Sequence, residues 1–291
     1  MTHSSRFLLL LAMATSTCFV FGGGLSAAPL VSSGAKVAFL GDSITQQGVE
    51  SPSGYVHLVG KGLQANGIEV KLIGAGVSGH KSNQMLERLE KDVLSKKPDW
   101  MTLSCGVNDV WHGARGVPLE DYKKNITEIV DRCAKAGVKV MILTATPIKE
   151  TDNENNQKLA GYNAFLRQLA QERQLPLADL SAVMWEELKT PTHPRPQGDY
   201  LTSDGVHMNP LGDTIMATGI LEAFGLDEAQ IVKAREAWLD QETTVKASVR
   251  IPQKDYFKLQ AVAAKQNKAV NAMVSEAFDE ALKKLTADPA P

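Results

Sequence analysis

Val37-Ala38-Phe39-Leu40-Gly41-Asp42-Ser43-Ile44-Thr45 is the stretch that decides the fold. Four apolar residues in a row, stopped by glycine and aspartate, read as a buried strand that ends in a turn with a serine at its tip. Working outward, further apolar runs recur at Val70–Ile73, Trp100–Ser104, Val138–Thr144 and Leu177–Asp179. Helical patterns lie between and after them, near Tyr55–Asn66, Lys81–Leu94, Leu119–Ala136, Asn155–Arg173 and Pro210–Phe224. Gly67 and Gly137 stand where helix C-caps are wanted, and Pro98-Asp99 and Pro176 mark re-entry into strands. Strands alternating with helices predict an α/β protein, a three-layer α/β/α sandwich around a five-stranded parallel sheet.

In such sheets ligands bind beyond the carboxyl ends of the strands. The chemically loaded segments fall there. Asp42-Ser43 ends the first strand, Gly76-Val77-Ser78-Gly79-His80 follows the second, and Gly106-Val107-Asn108-Asp109 follows the third. A Pro- and Gly-rich approach, Pro191 to Gly205, leads to Asp204 and His207. A serine hydroxyl is a weak nucleophile until a neighbouring base takes its proton. Here a histidine, with a carboxylate three residues before it, can supply the base and its orienting group.

Ser43 in Gly-Asp-Ser, Gly79, Asn108 in Gly-x-Asn-Asp, and Asp204 with His207 in Asp-x-x-His together resemble the SGNH, or GDSL-type, hydrolases over roughly residues 35–225. The resemblance implies a flavodoxin-like arrangement and a serine esterase. In that reading Ser43 is the nucleophile, His207 the general base and Asp204 its partner. The backbone N–H groups of Ser43 and Gly79, with the Asn108 amide, form the oxyanion hole. Asp42 and Asp109 are expected to fix their loops by local hydrogen bonds, and Gly79 to be glycine because backbone must approach the reacting centre. His80, His112, Trp111 and His193 are candidate pocket walls. No metal-ligand spacing such as His-Glu-x-x-His occurs, so neither metal nor cofactor is expected. The family acts on acetylated carbohydrates, simple acyl esters, lysophospholipids and thioesters. Thr192, His193, Arg195, Gln197 and Asp199 lean toward a short acyl group on a polar alcohol such as a sugar. A noncatalytic carbohydrate-binding descendant is the alternative from another class.

The chain has 291 residues, 43% of them hydrophobic, and a net charge of −2, which provides no global field for nucleic acid or anionic lipid. His3 and Arg6 precede the apolar Phe7–Ala14, and Phe19–Gly24 leads into Ser26, Ala27 and Ala28, so residues 1–28 read as a secretory signal and the mature protein as secreted or periplasmic. A retained anchor is the competing reading, opposed by Thr15, Ser16 and Thr17, which interrupt a run short of the ~20 residues a span needs. Cys105 and Cys133 sit in apolar elements and are expected to remain unbridged.

The hydrolase domain is expected over 29–225, a helical linker over 226–242, with a helix near Asp227–Asp240, and a tail over 243–291. In the tail Val245, Ala247, Val249 and Ile251 alternate with Lys246, Ser248 and Arg250, as in a two-faced strand. Helices near Gln253–Gln266 and Asn271–Leu285 follow, with Asn271 as a possible cap. Strand, helix, turn and helix resemble a ribbon–helix–helix module, which implies pairing into a homodimer through the strands. A tail packed on its own catalytic domain is the plainer alternative, and export argues against nucleic acid as a partner.

Overall fold

The computed structural model describes residues 28–190, 200–239 and 251–287. Five parallel strands, β1 (Lys36–Gly41), β2 (Lys71–Gly76), β3 (Trp100–Ser104), β4 (Lys139–Leu143) and β5 (Leu177–Ala178), form one sheet in the order β2-β1-β3-β4-β5. The sequence order reverses between β1 and β3, the switch point at which open α/β sheets hold their ligands. Register brings the strand ends level, with Gly41 opposite Gly76, Leu40 opposite Leu103, and Ser104 opposite Leu143. Every residue of the central β3 is buried.

Helices α2 (Tyr55–Ala65), α8 (Pro210–Ala223) and α9 (Glu228–Leu239) pack together, as do α3 (Ser82–Asp92), α5 (Leu119–Lys135) and α6 (Glu154–Glu172). With the sheet they make the three-layer α/β/α fold. Helix α5 shows the logic. Tyr122, Ile126, Ile129, Val130 and Cys133 recur at three- and four-residue spacing and are buried. Glu120 and Asp121 in its first turn and Arg132 and Lys135 in its last turn oppose the helix dipole favourably. Each large aliphatic side chain so buried contributes roughly 1.5–3 kcal/mol. The buried tyrosines also find polar partners, Tyr122 Oη donating to the Cys105 carbonyl at 2.9 Å and Tyr162 Oη to that of Val117 at 2.7 Å.

Several expectations shift. β2 runs on to Gly76 rather than stopping at Ile73, because Gly74 and Gly76 are packing residues. A Cβ on Gly74 would sit 2.9 Å from Val49, and one on Gly76 would collide with backbone at Thr45 and Gln46, both in α1 (Ser43–Glu50). That helix, α4 (Val107–Trp111) and α7 (Leu180–Lys189) are additions to the expected helices. Helix α9 is no mere connector. Ile231 and Ala234 are buried, and Trp238 Nε1 donates to the Leu58 carbonyl of α2 at 2.8 Å. Cys105 and Cys133 are free, buried thiols.

A second compact unit begins at Val245. It contains α10 (Gln253–Gln266) and α11 (Val270–Ala287), which pack on each other. Asn271 lies inside α11, which starts one residue earlier, so it is not the cap. The strand expected across Thr243–Ile251, with Lys246, Ser248 and Arg250, lies outside the described residues except for Ile251, as does the segment 1–27. Among the described residues no helix is long and apolar enough to cross a membrane.

Candidate active site

Ser43 is the first residue of α1, set immediately after β1. Asp42 caps that helix, its Oδ1 accepting from the Ile44 N–H at 3.0 Å, which turns the chain sharply from strand to helix. Gly41 cannot carry a side chain, since a Cβ there would overlap Thr45 Oγ1. Nine per cent of Ser43 is exposed, so its hydroxyl is shielded but reachable.

Asp204 and His207 arrive from the far end of the domain on a closed turn. Thr202 pairs with Met208 as an antiparallel bridge, and the Ser203 N–H donates to the His207 carbonyl at 2.8 Å. Asn209 caps α8 through the N–H groups of Leu211 and Gly212, while its amide donates to the Tyr200 carbonyl at 2.9 Å. Within the turn Asp204 Oδ1 accepts from the N–H of Val206 (3.0 Å) and of His207 (2.8 Å). Its other oxygen lies 2.6 Å from His207 Nδ1, and His207 Nε2 lies 2.8 Å from Ser43 Oγ. An ionised carboxylate can only accept, so Nδ1 carries the proton and Nε2 is left to accept from the serine. Partial burial alone would raise the Asp204 carboxyl, but the His207 backbone and imidazole, with the Val206 N–H, outweigh it and hold it below the usual range.

Gly79 and Asn108 come from the loops after β2 and β3. Gly79 has φ of +76°, which explains the glycine. A Cβ at Gly79 would meet no protein atom within 4 Å, so its backbone faces open space. Among the described residues no acceptor is paired with the backbone N–H of Ser43 or of Gly79. Asn108 differs, since its Nδ2 donates both to Asp42 Oδ2 and to the His80 carbonyl, each at 3.2 Å.

The two neighbouring aspartates do bind their loops. Asp109 is fully buried and accepts from the Ser82 N–H at 3.0 Å and the Ser82 hydroxyl at 2.6 Å, tying the start of α4 to the start of α3. Burial pushes its carboxyl upward against those hydrogen bonds. Asp42 is pushed up to about 6, first by burial, with the Asp109 carboxylate adding and the Ile44 N–H opposing.

Two contributors, Arg88 and Glu150, escape the sequence pattern. Arg88 of α3 donates to the carbonyls of Gly41 (2.7 Å) and Ala75 (2.8 Å) and to His80 Nδ1 (3.1 Å), joining β1, β2 and the glycine loop. Its i,i+4 pairing with Asp92 reads in the sequence as a solvent-exposed helix pair. His80 is held below its usual pKa by burial and then by the Arg88 charge. Glu150, in the loop after β4, is 4% exposed and grips residues 200–202. Trp111, one turn beyond Asn108 and partly exposed, has Lys149 Nζ 5.6 Å from its ring centre. His193 and the polar residues around it lie outside the described residues. Among the described residues no cluster of His, Cys, Asp and Glu could hold a metal ion. A cavity of about 740 Å³ lies at the other end of the sheet, lined by residues including Leu30, Trp100, Val138 and Leu175, with Lys139 as the one ionisable side chain among its described lining.

Residues 39–215, more than half of the chain, match the model of the GDSL-like lipase/acylhydrolase family. The chain belongs to that family. It is a carboxylic ester hydrolase. An acetylxylan esterase of Geobacillus stearothermophilus is 31% identical over 219 residues, spanning 68% of this chain and 97% of that protein. Among solved structures, the acetyl xylan esterase AlAXEase is 35% identical with a TM-score of 0.60, covering 65% of this chain and 98% of its own. Axe2, an acetylxylan esterase from Geobacillus stearothermophilus, is 28% identical with a TM-score of 0.61, covering 68% and 97%.

Proposed function

We propose that this esterase removes short acyl groups, acetyl foremost, from carbohydrates or other polar alcohols through a Ser43–His207–Asp204 triad and an acyl-enzyme. The observation that carries the triad is the unbroken chain of contacts at 2.8 Å and 2.6 Å from Ser43 Oγ through His207 to Asp204. Ser43 Oγ attacks the ester carbonyl carbon as its proton passes to His207 Nε2, and Asp204 stabilises the imidazolium. The oxyanion is met by the N–H groups of Ser43 and Gly79 and by the Asn108 amide. His207 then protonates the departing alcohol. Water, deprotonated by the same imidazole, attacks the acyl group and releases the acid.

The acetyl and carbohydrate preference is supported by the likeness to acetylxylan esterases, which extends over nearly the whole of those proteins. Trp111, half-open beside Asn108, offers a flat apolar surface of the kind that sugar rings stack on. Residues 1–28 are proposed as an export signal, tested by the N-terminal sequence of protein recovered from outside the cytoplasm. For the tail, self-association is favoured by Phe257, Phe278 and Leu285, exposed at 58%, 44% and 77%, on two helices whose buried residues include only Ala263. The deciding experiment for the active site is Ser43→Ala, assayed on acetylated xylooligosaccharides, short and long nitrophenyl esters, and lysophospholipid. Loss of hydrolysis with the fold intact, and wild-type turnover highest on acetyl esters, is the expected result. Undiminished hydrolysis by the Ala variant would overturn the serine mechanism, and a preference for long chains would overturn the substrate class.

A further inference from the structure

The turn that carries Asp204 and His207 is anchored by a carboxylate that belongs to neither strand nor helix. Glu150 Oε2 accepts from the Tyr200 N–H at 2.7 Å, and Oε1 accepts from the Leu201 N–H (2.7 Å), the Thr202 N–H (2.8 Å) and the Thr202 hydroxyl (2.7 Å). Thr202 Oγ1 in turn accepts from the Gly205 N–H at 3.1 Å, and the Gly205 carbonyl accepts from the Lys149 N–H at 2.7 Å. The hydrogen bonds therefore close a ring, Glu150 to Thr202 to Gly205 to Lys149, around the base of the turn. Gly205 has φ of +89°, and a Cβ on it would press 3.3 Å from Lys149 Cγ.

The loop conformation is costly in itself. Lys149 and Glu150 have φ of +58° and +52°, consecutive left-handed residues that each carry a side chain. Such conformations persist where the surroundings over-determine them, and they cluster at functional sites. Here the surroundings are the ring. A buried carboxylate with three backbone donors forms charge-assisted bonds, shorter and stronger than neutral ones.

We propose that Glu150 is a positioning residue for the proton-transfer pair, acting through the turn that it anchors and touching neither substrate nor the reacting atoms. The proposal rests on the triad reading above. Proton transfer needs His207 within hydrogen-bond reach of both partners, and a displacement on the order of 1 Å can cost ~10²-fold in rate. Glu150 fixes the stem from which that reach is measured.

Glu150→Gln tests it. The amide keeps one oxygen for Thr202 and presents an N–H₂ toward the Tyr200 N–H, so a single acceptor is replaced by a donor facing a donor. In the full-length protein kcat on a short acyl ester should fall about 10–100-fold with KM within about twofold. The downfield proton resonance expected of His207 Nδ1–H in the wild type, and expected to vanish in Asp204→Asn, should shift or broaden. A residue needed only for stability would lower the folded fraction and leave the kcat of the folded protein and this resonance unchanged. That outcome overturns the proposal. Should the Gln variant not fold, Thr202→Val carries the test, because it breaks the relay from Glu150 to Gly205 and keeps the charge. It should lower kcat by about tenfold, and wild-type kcat there would equally refute the assignment. Ser43→Ala separates the two claims: an active Ser43→Ala sinks the triad, whereas an inactive Ser43→Ala beside an unimpaired Glu150→Gln sinks Glu150 alone.

Discussion

Asp204→Asn is the most discriminating single change. Asp204 does two jobs with two oxygens. Oδ1 holds the turn by accepting from the Val206 and His207 N–H groups, and Oδ2 faces His207 Nδ1 at 2.6 Å. Asparagine can keep only one oxygen, and two backbone donors compel it to occupy the turn side. Its N–H₂ therefore points at His207 Nδ1. Donation from that amide requires an unprotonated Nδ1, which moves the ring proton to Nε2. His207 then donates to Ser43 where it should accept, and the base is lost while the turn is preserved. In serine hydrolases this loss of tautomer costs about 10⁴ in kcat, or roughly 5.5 kcal/mol of transition-state stabilisation at 1.36 kcal/mol per decade. The screening of the half-exposed Asp204 by water weakens its Coulombic share, but does nothing to restore the tautomer. The assay is steady-state hydrolysis of a short nitrophenyl ester, with thermal denaturation in parallel. The expected result is a kcat lower by three to four decades, on the order given by tautomer loss, at nearly unchanged KM and melting temperature. A kcat within about tenfold of wild type would show that Asp204 does not set the tautomer.

Asn108→Ala should lower kcat by about 10²–10³, as for other lost oxyanion donors, and an unchanged kcat would remove Asn108 from the site. Asp42 gives a pH test. Its carboxyl is raised from 3.8 to about 6 in the fold, so between those values the folded state keeps a proton that the unfolded state has released. Stability on its account falls as pH rises through that window, and the penalty, on the order of 3 kcal/mol, is complete above it. Asp42→Asn keeps the cap oxygen and removes the titration. Its stability relative to wild type, read from urea unfolding, should improve from pH 4 to pH 7, and a constant difference would contradict the burial argument. Finally, light scattering of the full chain against one ending at Leu239 should give a dimer and a monomer, and equal monomer masses would end the case for a dimerising tail.

β1 and β3 are legible because buried central strands are continuous apolar runs bounded by Gly, Pro and Asp. α5 is legible because its buried positions keep helical period. α1 is not, since Ser-Ile-Thr-Gln-Gln-Gly-Val-Glu has no clean apolar face. Gly48 and Gly74 resemble turn residues, yet each is small because a neighbour fills the place of its Cβ, Tyr55 in one case and Val49 in the other. Local pattern reports propensity, whereas these glycines answer to tertiary approach. The residues that pattern located in the site are those with named chemistry in short motifs. Arg88 and Glu150 share no motif with it. Their side chains turn inward from a helix and a loop where charge ordinarily means solvent.

These inward-turned charges explain how a site assembled from separate loops holds its geometry. Each loop is bonded to another: Asp109 to Ser82, Arg88 to Gly41 and His80, Gln46 to Ser78, Glu150 to Thr202. Asn108 belongs to the same web, since both hydrogens of its amide are spent, one on Asp42 and one on the His80 carbonyl. Those two bonds are 3.2 Å long, at the weak end of the range for N–H···O. An oxyanion formed nearby is a stronger acceptor than a carbonyl, because a charged acceptor about doubles the strength of a hydrogen bond. In the proposed mechanism the amide would trade the His80 carbonyl for the oxyanion, while Asp42 keeps hold of its other hydrogen. If Asn108 serves the proposed oxyanion hole, it is held in place at rest by partners weak enough to yield one hydrogen in the transition state, where the gain would count toward catalysis.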